Sequence, residues 1–172
     1  MIAYAFKAQG EPLTDAQHQA LFADTVKDYD LHIAVHSKLY PGALEALEAF
    51  RSANWLCAVC TNKPIAQATK LLHELKLDDF FAAVTGGDSF SHRKPDPQHL
   101  VDTIELAGGS RLCAVMIGDS ETDIRAAQNA SVPVVAVDFG YSEHHVSTYG
   151  PDTVVSHYGQ VFTEARKLNR RS

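Results

Sequence analysis

From residue 42 onward, short apolar runs alternate with segments whose apolar residues recur every three or four positions. Apolar runs predict strands buried on both faces, and the helical spacing predicts amphipathic helices between them. Alternation of this kind favours an α/β fold, a parallel sheet with helices on both faces. The predicted strands are 55–60, 82–85, 112–117, 133–137 and 153–155, and the predicted helices are about 42–53, 65–75, 97–107, 122–130 and 158–169.

The first 38 residues carry no strand pattern. A capping box, Thr14-Asp15-Ala16-Gln17, begins an amphipathic helix that we expect to run to about residue 36. Residues 1–9 are predicted to be helical as well, with a break at 10–12. We therefore predict two parts, a helical hairpin over 1–38 and an α/β core over 39–172.

Composition limits the classes of function. A chain of 172 residues with 45% apolar residues can bury a sizeable core in one domain with a small appendage. Its formal net charge of −6 disfavours broad nucleic-acid binding. We find no apolar stretch long enough for a membrane span and no signal-peptide pattern, so we expect a cytoplasmic protein without nucleic-acid or membrane partners.

The cysteines and paired histidines are not predicted to bind metal. Cys57 and Cys60 are three apart in a predicted strand, so their thiols point to opposite faces, and with Cys113 they are interpreted as small buried hydrophobic residues. His32 and His36 have the spacing of a zinc pair, but no third ligand is evident nearby. A solvated or partner-facing pair is the preferred interpretation.

Chemistry-bearing residues follow three of the predicted strands or precede the helices after them. Thr61 and Asn62 could hold a phosphate at a helix start, and Lys94 could neutralise its charge. Asp119 and Asp123 are four apart after an apolar run, and carboxylate oxygens suit Mg²⁺. Taken singly, Thr61 could be only a helix cap, Lys94 a surface lysine, and the two aspartates a cap and a first-turn acid. Taken together, they predict a phosphate site with a metal at one edge of the sheet.

This ordered set resembles the haloacid dehalogenase-like phosphohydrolases, whose core is a Rossmann-like parallel sheet. The strings that resemble phosphoglycolate phosphatases most are 60–64 (Cys-Thr-Asn-Lys-Pro), 86–89 (Gly-Gly-Asp-Ser), 94–97 (Lys-Pro-Asp-Pro) and 118–120 (Gly-Asp-Ser). The resemblance implies a Mg²⁺-dependent phosphatase acting on a small phosphorylated metabolite, most simply 2-phosphoglycolate, through an aspartyl-phosphate intermediate. It also implies that residues 1–38 are the remnant of a helical cap.

The resemblance assigns a role to each candidate. Thr61 and Asn62 would bind the phosphoryl group, and Lys94 would stabilise its charge. Asp119 would ligate Mg²⁺, and Asp123 would orient Lys94 or join the metal site. Lys94 and Asp123 are thus the catalytic candidates in this chain.

The family's first motif, Asp-x-Asp-Gly at the end of the first strand, is not found here. The only Asp-x-Asp is Asp28-Tyr29-Asp30, which lies in a predicted helix and is followed by Leu31. Because this motif supplies the nucleophile and part of the metal site, we predict weak metal binding and little or no turnover by this chain alone. Three alternatives stay open: a shortened phosphoglycolate phosphatase, an inactive relative that binds or regulates, and another phosphatase such as a pyrophosphatase or sugar phosphatase.

The first strand of this family is central, between the strands predicted at 55–60 and 112–117. Without it, both neighbours would have unpaired edges, which are costly when buried and are templates for association. We predict one of three remedies: direct pairing of the two strands, dimerisation through the sheet edge or the cap remnant, or a strand supplied from elsewhere.

Overall fold

The structure, a computed structural model, describes residues 13–31 and 37–169. The chain divides into two compact units, Met1–Ser37 and Lys38–Ser172. The first unit contains helix α1, Asp15–Leu31. The capping box is confirmed, since Gln17 N donates to Thr14 Oγ1 at 3.3 Å and Thr14 N donates to Gln17 Oε1 at 3.0 Å. The helix predicted at 1–9 and the pair His32 and His36 lie outside the described residues.

The second unit alternates helices and strands, as the sequence pattern predicts. Three short 3₁₀ helices lie between them at Asp78–Phe80, Arg111–Cys113 and Val146–Tyr149. In chain order the elements are α2 Ala43–Ser52, β1 Cys57–Cys60, α3 Ile65–Glu74, β2 Phe81–Thr85, α4 Pro97–Leu106, β3 Met116–Gly118, α5 Glu121–Ala130, β4 Val134–Val137, β5 Thr153–Val155 and α6 Tyr158–Asn169.

All strand pairs are parallel, which confirms the α/β fold class. β1 pairs with β2, and β3, β4 and β5 form a second sheet in that order. Within the part of the chain that the structure describes, β1 and β3 do not pair with each other. Direct pairing of the two strands is therefore not the remedy for a missing central strand in this unit.

Both faces of the β3–β4–β5 sheet are covered. Val134 and Ala136 pack into a cluster with Ile124 of α5, and Val135 and Val137 pack into a second cluster with Val161 of α6. Alternate residues of β4 thus point to opposite helical layers, as the pleat requires. Trp55 packs against Phe50 of α2 and Phe162 of α6, at ring-centroid distances of 5.4 and 6.4 Å.

The strand predicted at 112–117 is shorter than expected. Arg111–Cys113 form a 3₁₀ helix capped by Ser110, whose Oγ accepts from Leu112 N at 3.3 Å, and strand geometry begins at Met116. Leu112 is 71% exposed and Cys113 is exposed. The apolar run predicted a strand, but among the described residues only β4 pairs with β3, and no second described neighbour extends the pairing toward Leu112.

The predicted burial of the cysteines is correspondingly wrong in part. Cys57 and Cys60 are half-buried, Cys113 is exposed, and all three thiols are free. Ala58, at the centre of β1, is also exposed, because β1 has a neighbouring strand on one side only within residues 13–31 and 37–169.

Candidate active site

Thr61 follows the carboxyl end of β1 and continues its pairing with β2. Its backbone N donates to Thr85 O at 3.0 Å, and its Oγ1 accepts from Lys63 N at 3.2 Å. Helix α3 begins four residues later, where Ile65 N donates to Asp88 Oδ1 at 2.7 Å. Asp88 therefore caps the N-terminus of α3, and the Thr61 side chain stabilises the turn that precedes this helix.

Lys94 is a buried lysine, not a surface one. Its side chain is 8% exposed, and Nζ lies 2.5 Å from Cys60 O and 2.5 Å from Asp123 Oδ1. The backbone around it is held as well, since Asn62 Nδ2 donates to Lys94 O at 2.9 Å. The Lys94–Pro95 peptide bond is cis. The two hydrogen bonds of Nζ hold the ammonium group beside the carboxyl end of β1.

Asp123 uses both carboxylate oxygens within the protein. Oδ1 pairs with Lys94, while Oδ2 accepts from Asp119 N and Ser120 N, each at 3.2 Å, and from Ser120 Oγ at 2.6 Å. Ser120 Oγ in turn accepts from Asp123 N at 3.3 Å, completing a capping box at the start of α5. A side chain at Gly118 would place its Cβ 2.3 Å from Asp123 Cβ, so glycine permits this close approach. The geometry fixes Asp123 as the partner of Lys94.

Asp119 lies at the carboxyl end of β3, against the segment that follows β4. Its Oδ2 accepts from Tyr141 N at 3.1 Å, and a Cβ at Gly140 would lie 2.2 Å from that oxygen. Glycine is therefore required for the two segments to approach. Nearby, Tyr158 packs against Phe139 with ring centroids 5.1 Å apart, and burial followed by the charge of Asp119 raises the pKa of Tyr158.

The donors present fit one corner of a magnesium site. Mg²⁺ is typically held by one or two carboxylates together with waters and substrate phosphate, so the Asp119 carboxylate is of the right kind. Within residues 13–31 and 37–169, no group of three or more His, Cys, Asp or Glu could hold a metal ion. Asp123 is occupied by Lys94 and Ser120, which leaves Asp119 as the carboxylate that could be offered to a metal.

His99 is a buried neighbour of Lys94 that the sequence patterns did not reveal. It is fully buried in α4, and its Nδ1 accepts from Lys94 N at 3.3 Å. Burial, and then the charge of Lys94, lowers the pKa of His99. Thr103, one turn later, is also buried and donates to His99 O at 2.6 Å. The four-residue spacing of His99 and Thr103 on the apolar face of α4 was the available signal.

The structure therefore brings four of the predicted residues into one connected group. Asn62 supports the backbone of Lys94, Lys94 pairs with Asp123, and Asp123 accepts from Asp119 N. Thr61 directly follows Cys60, whose carbonyl oxygen accepts from Lys94. The group combines a buried ammonium, a hydroxyl and a carboxylate at the carboxyl ends of β1 and β3. The ammonium and the hydroxyl can both donate hydrogen bonds to a phosphate group, so this arrangement suits a phosphate-bearing ligand.

Comparison with known proteins identifies the family to which this chain belongs. The family model for haloacid dehalogenase-like hydrolases matches residues 4–137. This is more than half of the chain, and the chain therefore belongs to the haloacid dehalogenase-like hydrolases.

Two relatives within this family are similar to the chain over nearly its whole length. The chain is 45% identical to a phosphoglycolate phosphatase from Mesorhizobium japonicum, over 99% of this chain and 75% of that protein. It is 40% identical to a phosphoglycolate phosphatase from Agrobacterium fabrum, over 92% of this chain and 68% of that protein. These relatives support a phosphatase function.

A solved structure agrees with the fold. The crystal structure of a predicted phosphoglycolate phosphatase from Haemophilus somnus 129pt matches with a TM-score of 0.89 and 26% identity. The match covers 94% of this chain and 72% of that one. None of the helices described here has the length and apolarity needed to cross a membrane.

Proposed function

We propose that this chain forms the phosphate-binding part of a phosphomonoester hydrolase whose substrate is 2-phosphoglycolate, giving glycolate and phosphate. The observation that carries the proposal is the buried Lys94, held by Asp123 and Cys60 at the carboxyl ends of two parallel strands. The phosphoglycolate phosphatase relatives support this substrate over a pyrophosphate or a sugar phosphate.

Each site residue has a part in binding the phosphoryl group. Thr61 would donate its hydroxyl to a phosphate oxygen, and Lys94 would offset the charge that develops as the ester bond breaks. Asn62 would fix the backbone of Lys94, to which its amide donates, and Asp123 would orient the ammonium group. Asp119 would hold Mg²⁺, which supplies charge neutralisation when bound.

The sequence contains no Asp-x-Asp-Gly motif, which by the family resemblance would supply the nucleophile at a strand end. The family reaction proceeds through an aspartyl-phosphate intermediate, and the only Asp-x-Asp of the sequence lies within α1. We therefore propose that the chain by itself binds phosphate but turns substrate over very slowly or not at all. The same observation favours a second candidate function, a binding or regulatory role without catalysis.

Inorganic phosphate is the direct probe of the site. We expect it to bind in the presence of Mg²⁺, and we expect Thr61→Val to weaken binding about tenfold, the equivalent of one hydrogen bond to a charged group. Thr163→Val, an exposed threonine of α6, is the matched control and should leave affinity unchanged. Titration calorimetry measures both. Equal affinity of the two variants would contradict the assignment of Thr61.

Turnover is measured separately with 2-phosphoglycolate and Mg²⁺. We expect phosphate release at the background rate. Rapid release that Asp119→Ala abolishes would show that the chain contains a nucleophile that the sequence pattern did not reveal, and would exclude the binding-only function.

A further inference from the structure

We propose that His99 is a positioning residue for Lys94, and that its neutral ring holds the Lys94 backbone in the place that phosphate binding requires. This role rests on the proposed function and deepens it, because the site concerned is the same. His99 is fully buried in α4, and its ring contacts the main chain of Lys94. It therefore acts on the phosphate through Lys94 and is not itself a catalytic residue.

The buried polar side chains of the described residues gather around Lys94. Lys94, His99, Thr85, Thr103 and Asp123 are each at most 8% exposed. Thr103 Oγ1 donates to His99 O at 2.6 Å and accepts from Thr85 Oγ1, also at 2.6 Å. Buried polar groups are costly unless they are bonded, and a bonded cluster of them fixes one geometry. The geometry that this cluster surrounds is that of Lys94.

The hydrogen bonds of Lys94 hold both its side chain and its main chain. Nζ donates to Cys60 O and to Asp123 Oδ1, and the carbonyl oxygen accepts from Asn62 Nδ2 at 2.9 Å. The backbone N donates to His99 Nδ1 at 3.3 Å. Because Lys94 is buried, its N–H would lose its acceptor if the side chain at position 99 supplied none, and such a loss is destabilising. The backbone of Lys94 thus depends on an acceptor in α4.

This hydrogen bond also determines the protonation state of the ring. Nδ1 can accept only when it carries no proton, so the ring proton lies on Nε2. Nε2 is buried and has no hydrogen-bond partner among the residues that the structure describes. An apolar side chain would fill the same space without an unpaired donor. The bond from Lys94 N to Nδ1 is therefore the interaction that a histidine provides here and an apolar residue would not.

Protonation would turn the acceptor into a second donor that faces the Lys94 N–H. The surroundings oppose it, since burial, and then the charges of Lys94 and His92, lower the pKa of His99. The charge of Asp102 and the backbone of Gly86 act in the opposite direction. The ring is thus held neutral where its acceptor is needed.

The other elements that pack against α4 carry few groups that could interfere. These elements are α5, β1, β2 and the 3₁₀ helix Arg111–Cys113. α5 supplies Asp123, which pairs with Lys94, and burial raises the pKa of Cys57 and Cys60 in β1. β2 has no titratable side chain, and Arg111 donates to Ala130 O. The groups near Lys94 that ordinarily titrate between about pH 5 and 8 are therefore His99 and His92.

Sulfate is the probe for the pH dependence, because it keeps its charge in the range where phosphate gains a proton. We expect the wild-type chain with Mg²⁺ to bind sulfate at about pH 8, and to bind it about tenfold more weakly at about pH 5. Electrostatic attraction alone predicts the opposite change, since added positive charge strengthens anion binding. Titration calorimetry measures the affinity. An affinity that is constant or rises on acidification would overturn the proposal.

Two substitutions separate the acceptor from the titrating ring. His99→Asn keeps an oxygen that can accept from Lys94 N, so we expect the wild-type affinity at about pH 8 and no weakening on acidification. His99→Leu fills the space without an acceptor, and its affinity at about pH 8 should be about tenfold lower. Thr103→Val, a fully buried position one turn later whose hydroxyl bonds to His99 O and Thr85, is the matched control. It should keep the wild-type affinity and its pH dependence.

Either of two results with these variants would contradict the positioning role. One is equal affinity of a folded His99→Leu and the wild-type chain, with folding judged by circular dichroism. The other is weakening of His99→Asn in parallel with the wild type, because another group, such as His92, would then control the change.

Nuclear magnetic resonance of the chain labelled with ¹⁵N-histidine tests the ring without a ligand, and His99→Asn identifies the His99 signals. We expect Nδ1 without a proton and Nε2 with one at about pH 8. A proton on Nδ1 would overturn the proposal even if sulfate binds. A wild-type chain that binds neither sulfate nor phosphate, with the expected ring state, would instead contradict the proposed function, and the positioning role would fall with it.

Discussion

Strands β4 and β1 are both short and apolar, yet they differ in burial. In β4, Val134, Val135 and Ala136 are fully buried, with β3 on one side and β5 on the other. In β1, Ala58 is exposed and the other residues are half-buried, because β2 is its only described neighbour. The burial of these two strands therefore depends on the number of neighbouring strands and not on composition.

The candidate site joins these unequal halves. Thr61 and Asn62 come from the β1–β2 half, and Asp119 and Asp123 come from the β3–β4–β5 half. The buried pair of Lys94 and Asp123 links them, and α4 packs against α5 beside it. The phosphate site is thus placed where the incomplete half of the sheet meets the complete one.

The largest expected effect comes from placing a charge in each of the two strands. Val135→Asp buries a carboxylate between β3 and β5, and we expect a loss of more than about 4 kcal/mol in the free energy of unfolding. Ala58→Asp places the same group on the exposed strand, and we expect a loss of less than about 1 kcal/mol. Urea denaturation followed by circular dichroism measures both. Similar losses would show that β1 is as enclosed in solution as β4.

Breaking the link between the halves should have the next largest effect. Lys94→Met leaves Asp123 buried and without its cation, and we expect a loss of about 3 kcal/mol in unfolding free energy. Adding Asp123→Asn removes the stranded charge, so the double variant should lose less than the sum of the single variants by about 1–3 kcal/mol. Lys167→Met, whose exposed ammonium pairs with Glu164 at 2.6 Å, is the control and should cost less than about 1 kcal/mol. Additive single losses would mean that Lys94 and Asp123 are not coupled.

The sequence predicted the element order because local patterns determine it. The capping box at Thr14 and the apolar faces of the helices are set by residues a few positions apart. The strand over 153–155 and the helix over 158–169 have the predicted bounds. The candidate site residues could be proposed for a related reason, since they lie directly after strands or before helices.

Contacts between distant residues could not be predicted in this way. The length of β3 depends on a neighbouring strand, so the run 112–117 overstated it. Asp88 bonds to Ile65, 23 residues away, and no local pattern marks that pair. That both Asp123 oxygens are used also depends on Lys94, which lies 29 residues earlier. Each of these features depends on contacts that form only when the second unit is folded.

The smallest expected effect is a pH dependence that arises where the halves meet. His99 faces Lys94 and His92, whose charges lower its pKa, and Asp102, whose charge opposes them, but burial is the main cause of the lowered pKa. Because the folded-state pKa lies below the unfolded value of about 6.5, the neutral ring stabilises the fold above that pH. This stability is lost as the pH falls below about 6.5, where the unfolded state begins to bind the proton first.

His99→Asn isolates that contribution. The asparagine oxygen can still accept from Lys94 N, but it does not titrate, so the decline in unfolding free energy on acidification should be shallower than in the wild-type chain. Thr163→Asn, at an exposed position of α6 that does not titrate, is the control and should keep the wild-type slope. Urea denaturation across the acidic range measures all three. If His99→Asn and wild type declined in parallel, another group would control the acid sensitivity, and the junction at Lys94 would not depend on a neutral histidine.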